Sequence, residues 1–376
     1  MMSFQKTFCA LLAGLVGFGA VAATVSDVTA RQRYPWNGKI DIDYTITGTD
    51  TTNTALAVTL TDHDTGKVYS LTENGRHQFT WNRRDLVVSN GMATVSLVRY
   101  SVLYCVIDLS GGPNAARWPV SYLSAVPSDG WTDEYKTTKL VLRRIKVGTF
   151  VMGDNQSDES HRVTLTKSFY MGVFEVTQRQ WEFVMGSWPN STPSSSDGRG
   201  DAYPAYNVSY DDIRGPSSGA RWPASSAVDA SSFLGRLRAK TGLDFDLPTE
   251  AQWEYACRAG TTTICYWGYW GNSKDGAYAW YIDNSGSKAH PVGTKRPNAW
   301  GLYDTSGNVW EWCRDWYGTL AYGADPKGSA SGWTRVVRGG GCSSISDDFT
   351  SSYRFYVDPS DRGRSIGFRL VMALSD

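Results

Sequence analysis

Residues 247–256 read Leu247-Pro248-Thr249-Glu250-Ala251-Gln252-Trp253-Glu254-Tyr255-Ala256, and this stretch decides how the larger part of the chain is read. Pro248 marks a start, and the residues after it suit a short helix. Working outward, Val176-Thr177-Gln178-Arg179-Gln180-Trp181-Glu182-Phe183 predicts a helix capped by Thr177, and Ser225 to Leu237 predicts another. From Lys139 onward clear strands are few, and the connecting stretches are rich in Gly, Ser and Trp. The 376 residues include 16 Trp, 21 Tyr and 38 Gly, which points to an irregular fold held together by large rings. A hydrophobic share of 41% with 20% charged residues excludes a disordered chain. Lys+Arg and Asp+Glu are both 37, so no broad positive field exists and a basic nucleic-acid binder is excluded.

Upstream of Lys139 the texture differs. Lys6 precedes an apolar run from Phe8 to Phe18, and Ala20-Val21-Ala22 supplies a cleavage pattern. Residues 1–22 therefore read as a secretory signal peptide, and the mature protein is expected to be exported (periplasmic, cell-surface or extracellular). No later stretch is long and apolar enough to span a membrane. In Lys39–Thr47, Ile40, Ile42, Tyr44 and Ile46 alternate with polar residues, as in a half-buried strand. Leu56, Val58 and Leu60 repeat that pattern, Asp64-Thr65-Gly66 marks a turn, and Ala93, Val95 and Leu97 alternate again. With the apolar run from Tyr104 to Leu109, this predicts a small all-β sandwich of immunoglobulin-like type over residues 25–125, then a linker over 126–138. Without Cys9, five cysteines remain, with no zinc-type spacing, and Cys257 with Cys265 is one conceivable pair. His63, His77, His161 and His290 are scattered singly, so histidine-based metal or triad chemistry has no support.

Six phrases carry a family resemblance. They are Gly148-Thr149-Phe150-Val151-Met152-Gly153, Phe174-Glu175-Val176-Thr177, the stretch 247–256, Gly301-Leu302-Tyr303-Asp304 with Gly307-Asn308-Val309-Trp310-Glu311-Trp312, Arg338-Gly339-Gly340, and Gly367-Phe368-Arg369. In order and spacing they resemble the sulfatase-modifying-factor family, also called the formylglycine-generating-enzyme domain, over residues 139–376. The resemblance implies an α+β, C-type-lectin-like fold with little regular secondary structure. It also implies an enzyme that oxidises a protein cysteine with copper held by two thiolates five residues apart, after the Arg-Gly-Gly phrase. Here those two places hold Ser344 and Phe349, and Cys342 is the only nearby thiol. One thiol cannot form a two-thiolate Cu(I) site, so copper is not expected. Nor is there the histidine cluster of the family's iron-dependent branch. A structural Ca2+ is implied at Asp304, Gly307, Val309 and Glu311, two of them through backbone carbonyls.

Residues 341–366 contain no Lys, Glu, Gln, Met or Trp and are rich in Ser, Asp, Tyr, Phe and Gly, a mixture resembling antibody binding loops. Every residue type present can be encoded by a codon ending in C or T. Together with Gly367-Phe368-Arg369-Leu370-Val371 near the end, this resembles the variable region of diversity-generating-retroelement target proteins. The expected function is an exported, non-catalytic binder presenting a variable patch to a protein or surface glycan. Its contact residues would be Cys342, Ser344, Ser346, Asp348, Phe349, Ser352, Tyr353, Phe355 and Tyr356. Arg338 and Arg369 are expected to form fixed ion pairs with buried carboxylates. The alternative is a formylglycine-type oxidase with an altered metal site at Cys342.

Overall fold

The computed structural model describes residues 103–374, apart from 124, 155–159 and 270–274, and the backbone of seven strands between residues 24 and 96. The expected signal segment 1–22 and the turn at 64–66 lie outside the described residues. The chain divides into two compact units between Ser101 and Val102.

In the first unit the alternating stretches become strands. They are β1 (Thr24–Gln32), β2 (Lys39–Thr47), β3 (Val58–Asp62), β4 (Val68–Leu71), β5 (Gly75–Thr80), β6 (Leu86–Asn90) and β7 (Ala93–Ser96). They form two antiparallel sheets, ordered β1-β2-β5 and β4-β3-β6-β7.

The boundary differs from the expected one at 125. Strands β8 (Tyr104–Asp108) and β9 (Val120–Leu123) belong to the second unit. β8 pairs antiparallel with β10 (Lys139–Ile145), and β9 pairs antiparallel with the other edge of β8. The cause is burial. Tyr104, Cys105, Val106 and Ile107 are all buried, so β8 is an interior strand rather than the half-exposed edge of a sandwich. The expected linker is also structured: Tyr135 is buried, and Trp131 packs edge-on between it and Tyr104.

Further along come β11 (Gly148–Met152), β12 (His161–Leu165), β13 (Phe169–Gly172), β14 (Phe245–Asp246), β15 (Trp310–Trp316), β16 (Gly323–Ala324), β17 (Arg335–Arg338), β18 (Arg354–Val357), β19 (Ile366–Gly367) and β20 (Val371–Ala373). They build three small sheets: β14-β20-β13-β10-β8-β9, β11-β12-β16, and β18-β17-β15-β19. The main helices are α1 (Gln178–Met185), α2 (Tyr210–Arg214), α3 (Pro216–Gly219), α4 (Phe233–Thr241) and α5 (Glu250–Arg258). The unit is thus mixed α+β, with few and short helices. No helix among the described residues is long and apolar enough to cross a membrane.

Thr177 caps α1 in a capping box with Gln180, and Gly186 ends it in the left-handed region. Thr249 caps α5 in the same way with Gln252. The helix expected over Ser225–Leu237 begins only at Phe233. Ser232 takes the cap by accepting the Gly235 N–H, which stops the helix from extending backward. Trp181 of α1 stacks on Phe233 of α4 and meets Phe368 edge-on, so these helices share one apolar core.

Beneath this core lies a buried ionic frame. Glu254 on α5 accepts from Arg338 Nη2 at 2.5 Å and from Arg258 Nε at 2.8 Å. Arg338 also donates to the carbonyls of Ser351, Ser352 and Tyr353, at 2.8, 2.7 and 2.8 Å. One turn earlier on α5, Glu250 holds Arg354 through both carboxylate oxygens, at 2.5 and 2.8 Å. Glu311 on β15 takes Arg369 at 2.6 and 2.7 Å and the Trp253 indole at 2.8 Å. Arg338, Arg369, Glu254 and Glu311 are fully buried. The ion pairs expected for Arg338 and Arg369 are therefore present, and Arg354 joins them. At the exit from β17, Gly339 and Gly340 adopt φ of +94° and +74°. A Cβ on Gly339 would stand 3.0 Å from the Trp253 ring, so only glycine turns the chain there.

Two outcomes follow from this architecture. A fragment beginning at Val102 should unfold cooperatively by circular dichroism on heating. One beginning at residue 126 lacks β8, β9 and the buried Trp118 and should not. Arg338→Met should lower the urea unfolding free energy of this unit by about 3–5 kcal/mol, because it takes a buried cation from Glu254 and the donors from three tail carbonyls. Arg362→Met, at a partly exposed pair with Asp212, should cost about 1 kcal/mol or less.

Candidate functional site

The tail leaves β17 at Arg338, loops through a 3-10 turn at Ser346–Phe349 and returns as β18, paired antiparallel with β17 from Arg335↔Val357 to Arg338↔Arg354. Its side chains separate into two groups.

One group is internal. Cys342 is buried, its Sγ lies 3.9 Å from Ser343 Oγ, and burial raises its thiol pKa. Such a thiol is neither a surface contact nor a poised thiolate. Ser344 is buried and accepts the Gly341 N–H through its Oγ at 3.0 Å. Phe349 is fully buried against Trp267 and Tyr281. These three were expected to touch a ligand, and they stabilise the loop instead. Polar or aromatic character marks a binding loop but does not say which side chains turn inward. Serine and phenylalanine do stand where the family resemblance puts two thiolates, so no thiolate pair exists there. Cys257 and Cys265 are buried, separate thiols, and the conceivable disulfide is absent.

The other group faces outward. Phe355 and Tyr356 are 43% and 49% exposed, which is high for rings this size in a strand. They stack on each other at 5.2 Å. Ser346, Asp348, Ser352 and Tyr353 are partly exposed. The Tyr353 hydroxyl is hydrogen-bonded to Asp348, and burial together with that carboxylate raises its pKa. Two further rings complete the surface. Trp310 lies 5.5 Å from Phe355 and 6.0 Å from Tyr353. Tyr317 lies 4.8 Å from Tyr356, with the Arg354 guanidinium 4.9 Å from its ring. Neither was expected from the sequence. The pairing of β15 with β17 and of β17 with β18 brings them in, and no local spacing encodes it. The site thus offers an exposed aromatic surface, with the Asp348 carboxylate bonded to Tyr353 at one end of it.

The four positions expected to hold calcium lie behind this surface. Asp304 is buried, at φ +54°, and accepts the Gly293 N–H. Gly307 and Val309 donate their N–H groups to Gly339 O and Glu175 Oε1. Glu311 is committed to Arg369 and Trp253 as described above. Among the described residues no three His, Cys, Asp or Glu side chains are grouped to hold a metal ion. Burial, with Asp304 and Glu311 nearby, holds the Glu175 carboxyl well above its usual range, and burial pushes Asp304 up to about 6. Arg369, Lys136 and Lys295 stand near these carboxylates as cations, and Asp304 is a hard oxygen donor of the kind that Ca2+ prefers.

Residues 132–374, more than half of the chain, match the sulfatase-modifying factor enzyme 1-like domain. The chain is 35% identical over 144 residues to the formylglycine-generating enzyme of Streptomyces coelicolor, a match covering 33% of this chain and 45% of that enzyme. It therefore spans less than half the length of that relative. It is 30% identical over 284 residues to the formylglycine-generating enzyme of Mus musculus, covering 62% and 74%. Among solved structures, variable protein 1 of Treponema denticola superposes with a TM-score of 0.53 at 29% identity, over 63% of this chain and 96% of that one. PvdO from Pseudomonas aeruginosa shares the fold, with a TM-score of 0.53 at 24% identity over 62% and 94%. The family match over 132–374 takes in the ionic frame and the tail: the chain belongs to the sulfatase-modifying-factor family.

Proposed function

We propose that the protein is an exported binding protein that displays a variable recognition patch on a C-type-lectin-like domain and makes or breaks no bond. The observation that carries this reading is the exposed pair Phe355 and Tyr356, backed by Trp310 and Tyr317 and seated on a buried frame. Large exposed apolar surfaces on a stable domain mark interaction sites, and aromatic side chains dominate binding energy in such sites. The likeness to variable protein 1 of Treponema denticola supports a diversified tail over residues 341–366. In this reading residues 1–22 are the signal peptide, and the two N-terminal sheets form a sandwich that acts as a spacer. The ligand is a protein or a surface glycan. Ser346, Asp348, Ser352, Tyr353, Phe355 and Tyr356 remain its contacts, whereas Cys342, Ser344 and Phe349 support them from inside. Calcium would be held by Asp304 and Glu311 with the carbonyls of Gly307 and Val309, and Glu311 would have to share with the ion the oxygens it gives to Arg369 and Trp253.

A second reading, oxidation of a protein cysteine, draws on the likeness to formylglycine-generating enzymes. The buried, lone thiol of Cys342 weighs against it.

The test has two parts. The DNA flanking the gene should contain a near-copy of the segment encoding residues 339–371, differing at adenines, beside a reverse-transcriptase gene; its absence would remove the diversified tail. Incubation of the purified protein with copper, oxygen and a cysteine peptide should yield no aldehyde. Aldehyde formed by the protein and lost in Cys342→Ala would establish the oxidase reading instead.

A further inference from the structure

The tail carries four aspartates, Asp347, Asp348, Asp358 and Asp361, and three arginines, Arg354, Arg362 and Arg364. Each arginine is matched by a carboxylate from outside the tail. Arg354 is held by Glu250, Arg362 by Asp212 at 2.7 Å, and Arg364 lies 3.7 Å from Asp197. None of the four aspartates has a cationic partner. Asp348 bonds the Tyr353 hydroxyl, and Asp358 accepts the N–H and hydroxyl of Ser360. Asp347, Asp358 and Asp361 are exposed. Arg354 is thereby neutralised from within, Arg362 and Arg364 stay at the surface beside their carboxylates with side chains 32% and 68% exposed, and the aspartates, with no cation bonded to them, lie on both flanks of the aromatic surface. Asp347 and Asp348 lie beside Tyr353, while Asp358 directly follows β18.

The aromatic faces between these flanks carry the same preference. The π-face of Trp, Tyr or Phe attracts an ammonium or guanidinium group. The two rings on the open side with no guanidinium of the domain over them, Phe355 and Tyr356, are 43% and 49% exposed. In addition, β18 is the terminal strand of its sheet among the described residues, with no strand paired to its outer edge, the kind of edge to which an extended chain adds. We infer that the partner of this surface is a basic polypeptide segment, lying along β18 with Lys or Arg side chains over the aromatic rings and against the four aspartates. An acidic or sulfated glycan would be repelled by those carboxylates, and a neutral glycan would leave them unmatched. This inference rests on the reading of the tail as a recognition patch.

The test selects peptides from a random linear display library on the full-length protein. Recovered peptides are then measured on three forms: the wild type, Phe355→Ala with Tyr356→Ala, and Asp347→Asn with Asp358→Asn and Asp361→Asn. All of these side chains are exposed, and matching thermal unfolding curves verify that each form is folded. The expected peptides are rich in Lys and Arg. They should weaken by about tenfold or more in either variant, and by a similar factor when salt rises from low to high ionic strength. Peptides that need Phe355 and Tyr356 but carry no cationic excess, or that bind the aspartate variant unchanged, would overturn the basic partner and leave the patch intact. Peptides bound equally by the aromatic variant would overturn both. Failure to enrich any peptide, with a neutral glycan array bound only by the wild-type rings, would overturn the polypeptide partner in favour of a sugar; failure of both would overturn patch and partner together.

Discussion

One guanidinium organises the second unit. Arg338 sits at the end of β17 with no solvent contact, its charge met by Glu254 of α5 and its two terminal nitrogens also bonded to three successive carbonyls of the tail. A charge buried this deeply is tolerable only when its partners are fixed in place. Helix α5, strand β17 and the backbone of Ser351–Tyr353 are therefore one rigid object. Arg354 on Glu250 and Arg369 on Glu311 extend it at both ends. Gly153 joins it too, its N–H on Glu254 and its carbonyl on Arg258.

This arrangement separates holding the tail from using it. Backbone carbonyls, which every residue type possesses, make the bonds to Arg338. The exposed side chains of the tail make few bonds that the fold needs. Phe355 and Tyr356 rest on other rings instead of filling the core. A domain built this way can change its outer surface while keeping the strand that carries it. The same division accounts for the aspartates left unopposed at the rim, since the frame has matched the arginines and has no use for them.

Much of the frame was legible in the sequence because each of the six phrases contributes a partner to it or to the carboxylates beside it. Gly153, Glu175, Glu250 with Glu254, Glu311, Arg338 and Arg369 come one from each phrase or its neighbour. The short helix after Pro248 and the helix capped by Thr177 were also legible, because capping is local chemistry. The alternation in Lys39–Thr47 marked β2 for the same reason. What could not be read were the long-range facts. Nothing local in Tyr104–Leu109 says that its sheet partner is Lys139–Ile145 rather than the strands before it. Composition picked out the tail as a unit but could not tell that Cys342, Ser344 and Phe349 face inward. Trp310 and Tyr317 entered the surface only through pairing across β17.

The central claim is that the frame carries the tail without help from its exposed side chains. The direct measurement is urea unfolding of a variant in which Ser346, Asp347, Phe355 and Tyr356 are all alanine. The account predicts a free energy for the second unit within about 1–2 kcal/mol of the wild type, as for surface positions. A loss of about 3–5 kcal/mol, the size expected for breaking a buried ion pair, would contradict it.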